Sequence, residues 1–195
     1  KKAKKQGIPI FAETSPHHLF MNTSAYKKIG MLAKMNTPLR EKEDNQALWQ
    51  GIKEGVIDTI GTDHAPHLLE EKQQSYDKAP AGIPGLETFL PLMLQAVHDK
   101  KITIKDMVRI CRNNALDIYR LSPNQDWIIV DLEHEEIVGK KPNQTKCQWS
   151  PYEGQNLKGW PVLTICKNRI FQCHPFKEIS NSYDLESLQA YSSMH

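Results

Sequence analysis

The stretch GTDHAPH, residues 61–67, follows directly on the apolar run GVIDTI, residues 55–60. It sets Asp63, His64 and His67 close together, around an Ala-Pro pair that no helix interior accepts. A carboxylate at the end of a buried strand is costly to desolvate unless it meets a cation or hydrogen-bond donors. Asp63 is therefore either a metal ligand and proton carrier or the cap of a polar turn. His64 and His67 each allow the same two readings, ligand or solvated loop side chain. The surroundings have to decide.

Working outward, IPIFAE at 8–13 reads as a strand whose end carries TSPHH. Neighbouring side chains on a strand face opposite ways, so at most one of His17 and His18 faces a site from there. NTPLR at 36–40 is a turn signal that offers the Asn36 amide and the Arg40 fork, both suited to a carboxylate or a cyclic amide. EKEDNQALWQGIKEG reads as a helix with an acidic first turn, an apolar face of Ala47, Leu48 and Ile52, and Gly55 as its stop. VIDTIG is then a short buried strand. Strand, helix and strand follow at the spacing of an α/β unit, with each polar cluster at a strand's C-terminal end, where parallel folds bind ligands.

Residues 68–85 form a long connection with Pro80, Gly82, Pro84 and Gly85, of the kind that serves as a lid or is disordered. Its APAGIPG segment can present backbone N–H groups to a ligand but lacks the GxGxxG order of dinucleotide sites. Two or three apolar helices follow, up to Ser122-Pro123. From 126 the pattern turns strand-like: WIIVDLEHEEIV alternates, and LTICKNRIFQC reads as a hairpin around 167–169. Between them lies a Pro/Gly-rich stretch, WSPYEGQNLKGWP, within what reads as a β-rich appendage. The polar tail from Pro175 is expected to be disordered. These breaks divide the chain at 1–122, 123–174 and 175–195.

The sequence has 195 residues, with 25 Lys and Arg against 23 Asp and Glu. Net charge of +2 is too balanced to argue for nucleic acid or an anionic membrane. The four cysteines form no CxxC and show no metal-ligand or disulfide spacing. No apolar run reaches the length of a membrane span, and there is no signal-peptide core. A soluble cytoplasmic protein is expected. The start KKAKKQG resembles the last turn of a helix, so a piece of a longer chain is expected as well.

Taken in order, ETSPHHLF, NTPLREKEDNQALWQGIKEGVIDTIGTDHAPH, EEK, KAPAGIPGLETFLPLML and WSPYEGQNLKGWPVLTICKNRIF resemble the C-terminal half of the dihydroorotases, a family of cyclic-amide-hydrolysing amidohydrolases. The resemblance runs from about Gly7 to Cys173. It implies an α/β fold: the C-terminal part of a (β/α)8 metal-dependent hydrolase barrel, plus part of a small β-sandwich. It implies reversible hydrolysis of L-dihydroorotate to N-carbamoyl-L-aspartate in pyrimidine synthesis. It implies one or two Zn²⁺ ions, with Asp63 as ligand and as proton shuttle between the attacking hydroxide and the leaving nitrogen. Asn36, His67 and the main chain of Ala81 and Gly82 are implied substrate contacts.

Ala81 departs from the family, which usually carries Phe there. Main-chain contacts survive such a change, but loop packing does not stay the same. Asn36 favours dihydroorotase over hydantoinases and allantoinases, which usually carry another residue at that position. The family's His-x-His and following Arg on strand 1, its bridging Lys or Asp on strand 4, and its histidines on strands 5 and 6 have no counterpart in these residues. The chain by itself is therefore expected to bind zinc weakly and to be inactive, and half a barrel is expected to be marginal as a monomer. Implied partners are the small-molecule substrate, a second copy, or aspartate transcarbamoylase. The alternatives are a hydantoinase-type enzyme, or a non-catalytic dihydroorotase-like scaffold subunit. Retention of Asp63, Asn36 and His67 together favours the catalytic reading over the scaffold.

Overall fold

The structure, a computed structural model, describes residues 1–180 apart from Gln125, Asn168 and His174. It is mixed α/β. After helix α1 (Lys2–Lys5), strand β1 (Glu13–Thr14) pairs in parallel with β2 (Thr59–Ile60). The crossover holds α2 (Pro16–Phe20), α3 (Ser24–Ile29), a 3-10 turn (Gly30–Ala33) and α4 (Lys42–Lys53). The strand expected over 8–13 shortens to its last residue and the one beyond, with Thr59 and Ile60 alongside.

The histidine pair is corrected too: it lies on helix α2, not on a strand. Ser15 takes extended backbone as its N-cap and Pro16 opens the helix, where a missing N–H costs nothing. Helix α4 forms where its acidic first turn and Gly55 place it, with the Asp44 carboxylate accepting the N–H of Glu41. Its buried side is Asn45, Trp49 and Ile52, while Ala47 is exposed. Asn45 Nδ2 donates to the carbonyls of His18 and Met21 at 2.7 and 2.8 Å, and Trp49 Nε1 to that of Leu19 at 3.1 Å. The helix buries Asn45 and the indole N–H of Trp49 there because α2 ends against it with open carbonyls.

Helices α5 (Leu69–Lys72) and α6 (Leu86–His98) follow. The last helical stretch runs from α7 (Ile104–Val108) through a π turn (Arg109–Asn113) to α8 (Asn114–Tyr119). Strands β3 (Trp127–Ile137), β4 (Asn156–Cys166), β5 (Arg169–Gln172) and β6 (Lys177–Ser180) make an antiparallel sheet in chain order. The expected hairpin is there, with Cys166 opposite Arg169. Strand β4 starts earlier than the expected hairpin strand, inside the Pro/Gly-rich stretch. Pro161 is accommodated at a bulge, since Ile129 pairs with Leu163 and Val130 with Pro161. The tail expected to be disordered from Pro175 instead supplies β6; the remainder, 181–195, lies outside the described residues.

One core joins the two regions: Met35, Leu39, Ile83 and Leu92 pack with Trp149, Tyr152, Leu157 and Trp160. A second gathers Leu19, Trp49, Ile52, Ile60, Met93 and Ile110 under the parallel pair. The contact between α6 and β4 is tight, because a Cβ at Gly159 would lie 2.7 Å from Leu94 Cβ. Among the described residues no helix is long and apolar enough to cross a membrane.

Candidate active site

The parallel pair delivers two chain segments to one edge. Gly61 N–H donates to the carbonyl of Thr14 at 2.9 Å, and the chains then diverge into SPHH and TDHAPH. Asp63 adopts φ +48, a left-handed backbone that Asp tolerates better than most residues. Its side chain is 59% exposed, and Oδ2 lies 3.7 Å from His17 Nε2. His17 is buried, and the same Nε2 is 2.9 Å from Ser15 Oγ. Burial, and after it the neighbouring His18, pulls the His17 pKa down to about 4, so the ring is neutral at pH 7.

His18 packs its ring 4.3 Å from that of His17. Its pKa is also lowered, chiefly by burial; Asp63 raises it and Arg40 lowers it. The opposed effects place Asp63 and Arg40 within electrostatic reach of one imidazole. Arg40 is itself exposed, as is Asn36.

The two histidines of GTDHAPH separate in role. His64 Nδ1 accepts the N–H groups of Gly85 and Leu86, both at 3.1 Å. These are orphan donors at the start of α6, so His64 caps that helix and carries its ring proton on Nε2. His67 stays half-buried, with Nδ1 3.9 Å from Glu71 Oε2. Its main-chain carbonyl accepts the indole N–H of Trp149 at 2.8 Å, so the β region buttresses the loop from behind.

The long connection returns to this edge. Residues 64 and 83 form a parallel bridge, and Ala65 N–H donates to Ile83 O at 3.0 Å. Gly82 (φ +132) sits so close that a Cβ there would lie 2.7 Å from both Ala65 Cβ and Ala65 O, and 3.3 Å from His67 Cδ2. Gly82 N–H donates to Lys34 O at 3.0 Å, which brings the segment leading to Asn36 alongside. Half-buried Ala81 lies between Pro80 and Gly82. The connection is thus neither an open lid nor irregular throughout: α5 and two lysines hold it. Lys34 Nζ donates to the carbonyls of Tyr76 and Ala79, and Lys72 Nζ to those of Lys34, Pro80 and Gly82.

The structure therefore assembles two groups on one edge: Asp63 with His17, His18 and Arg40, and His67 with Ala81 and Gly82. Sequence reasoning passed over Ser15, Lys72 and Trp149. Ser15-Pro16 was readable as a helix start. Lys72 and Trp149 act on carbonyls distant in sequence and carried no local signal. Among the described residues no group of three or more His, Cys, Asp or Glu is arranged to hold a metal ion. Asp63 offers one open carboxylate, where a catalytic zinc takes three protein ligands.

No protein-family model matches the chain. It is 42% identical over 172 residues, 87% of its length, to the multifunctional protein pyr1-3 of Dictyostelium discoideum, of which it covers 8%. It is 40% identical over 178 residues to a dihydroorotase of Bacillus licheniformis, covering 42% of that protein. The chain thus spans less than half the length of these relatives. Among solved structures, an L-hydantoinase (dihydropyrimidinase) from Arthrobacter aurescens matches 88% of the chain at TM-score 0.79 and 27% identity, over 41% of its own length. An inactive dihydroorotase-like domain of a CAD-like multifunctional protein from Chaetomium thermophilum matches 94% at TM-score 0.62 and 20% identity, over 48% of that chain. The first likeness places the chain beside a hydantoinase in fold; the second shows the fold alone.

Proposed function

We propose, from this kinship with dihydroorotases, that the complete protein is a dihydroorotase and that these residues form one wall of its site. The observation that carries the reading is the edge itself. Tertiary pairing sets Asp63, His67 and the Ala81-Gly82 main chain around the end of a parallel strand pair, which supports the roles the resemblance implies for them. Residues 1–122 are read as the last part of a (β/α)8 barrel, and 123–174 as part of a small β-sandwich. The parallel β1–β2 pair and the antiparallel sheet beginning at β3 support that division. A cytoplasmic setting, with a second copy or an aspartate transcarbamoylase as partner, goes with the same reading.

Asp63 would contribute one ligand to a Zn²⁺ ion whose remaining ligands come from outside these residues. When bound, zinc supplies a water acidic enough to ionise near neutral pH. The Asp63 carboxylate accepts a proton and returns it to the ring nitrogen as the amide C–N bond breaks. His17, neutral and fixed against Ser15, places a ring nitrogen near that carboxylate without competing for its charge. Asn36, His67 and the Ala81 N–H contact the cyclic amide; the Gly82 N–H and carbonyl are taken by Lys34 O and Lys72 Nζ, so Gly82 contributes close main-chain approach and no hydrogen bond of its own. His64 takes no part beyond capping α6.

Assay of the complete protein against dihydroorotate, hydantoin and allantoin tests this directly. Turnover of dihydroorotate alone is expected. Preference for hydantoin would move the reading to the hydantoinases, the group of the Arthrobacter protein that this chain resembles in structure. Inactivity towards all three would leave the scaffold.

A further inference from the structure

Lys72 closes the EEK motif and is fully buried. A buried ammonium is unfavourable unless every proton finds an acceptor. Here the three protons meet three carbonyls, those of Lys34 at 2.8 Å, Pro80 at 2.9 Å and Gly82 at 2.8 Å. None of the three belongs to the helix that carries Lys72. Pro80 and Gly82 bracket Ala81; Lys34 stands two residues before Asn36.

The consequence lies in the peptide planes. In a trans peptide the C=O and the following N–H point in opposite directions. With the Pro80 carbonyl turned to Lys72, the N–H of Ala81 must point away from it. With the Gly82 carbonyl turned the same way, so must the N–H of Ile83. The Gly82 N–H is already given to Lys34 O at 3.0 Å. One side chain thus fixes which main-chain groups of the loop face away from it, and ties that choice to the stretch of chain leading to Asn36. Lys34 fixes the preceding part of the loop separately, through Ala79 O at 2.7 Å and with its ammonium 4.4 Å from the Tyr76 ring centre. Gly82 then has no room to relax, being pressed against Ala65 and His67.

We infer that Lys72 is a positioning residue for substrate binding: its ammonium sets the orientation of the Ala81 and Gly82 peptides and holds them in register with Asn36. The inference rests on the reading of this edge as a dihydroorotase site. It assigns Lys72 no contact with substrate and no proton transfer. A loss at Lys72 should therefore appear in binding and not in the chemical step.

The test uses the complete protein with Lys72→Met, which keeps length and removes the donors. For dihydroorotate, KM is expected to rise about tenfold or more while kcat stays within about threefold. Amide hydrogen exchange at 81–83 is expected to quicken in the same variant. An unchanged KM, or a kcat loss that outweighs the KM change, overturns the inference. If Lys72→Met does not fold, Lys72→Arg takes its place. It keeps the charge, but a planar fork does not match three carbonyls disposed around a tetrahedral ammonium, so the same KM rise is expected and an unchanged KM again overturns it. If the unsubstituted protein does not turn over dihydroorotate, the site reading fails by itself. Exchange at 81–83 then decides alone whether Lys72 orders the loop: faster exchange in the variant supports it, and equal exchange overturns it.

Discussion

The indole N–H of Trp149 donates to the main-chain carbonyl of His67 at 2.8 Å, across 82 positions of sequence. Trp149 is buried in the core shared with Leu39, Ile83 and Leu92, so the antiparallel region fixes the loop that presents His67. Trp149→Phe keeps most of the packing and removes the donor. It is expected to cost about 1 kcal/mol of stability and to raise KM for dihydroorotate in the complete protein. Denaturant titration and steady-state kinetics check the two halves.

Gly82→Ala should be more severe. Its φ of +132 is a backbone that side chains rarely adopt, and the added methyl would meet Ala65 from 2.7 Å. The neighbour is partly main chain, so the loop itself has to move. A loss of roughly 2 to 4 kcal/mol is expected, measured as a fall in denaturation midpoint, together with loss of substrate binding. A variant as stable as the unsubstituted protein would contradict the contact.

Asp63→Ala in the complete protein is expected to lower kcat by a hundredfold or more, on the order of what a positioned acid–base group supplies, with the fold unchanged by circular dichroism. The 195-residue chain alone, titrated with Zn²⁺, is expected to show no hydrolysis of dihydroorotate, since among its described residues no three donors converge on a metal. Zinc-dependent turnover by that chain would contradict the assignment of the remaining ligands to other residues.

Lys72 also gives a pH signature. Burial, then the charge of Lys34, lowers its pKa from 10.5 to about 8. Between these values the unfolded chain still holds a proton that the native chain has released. Stability therefore rises with pH across that window on account of this group, and the contribution is absent below about 8, where both states are protonated. Denaturation midpoints taken at about pH 8 and about pH 10 should show a rise in the unsubstituted protein relative to Lys72→Met. An equal pH dependence in the two would contradict the burial of the charge.

Much of the fold was legible. The acidic start of α4 and its glycine stop follow from capping and dipole rules, and they place the helix correctly. The face it buries did not follow. Asn45 is drawn inward by the carbonyls of His18 and Met21, acceptors created only when α2 docks. The helical state of Pro16-His17-His18 was readable from the Ser-Pro start but was hidden by the apolar run before it. The first part of strand β4, before Leu163, escaped because Pro161 argues against a strand, until a bulge is seen to absorb it.

What the sequence by itself determined is the inventory of the edge: a carboxylate and two histidines around Ala-Pro, an Asn-Thr-Pro turn and a glycine-rich connection, each placed at the end of an element by local patterning. Which of these groups act together was decided only by tertiary structure. Residue type assigns His64 and His67 the same chemistry. One turned to cap a helix that starts 22 residues later, and the other was left half-open beside Gly82. Lys72 reads as a solvated charge in a short helix, yet three distant carbonyls enclose it. Hydrogen-bond satisfaction of buried groups is a property of the packed chain, and local pattern carries no record of partners that far away.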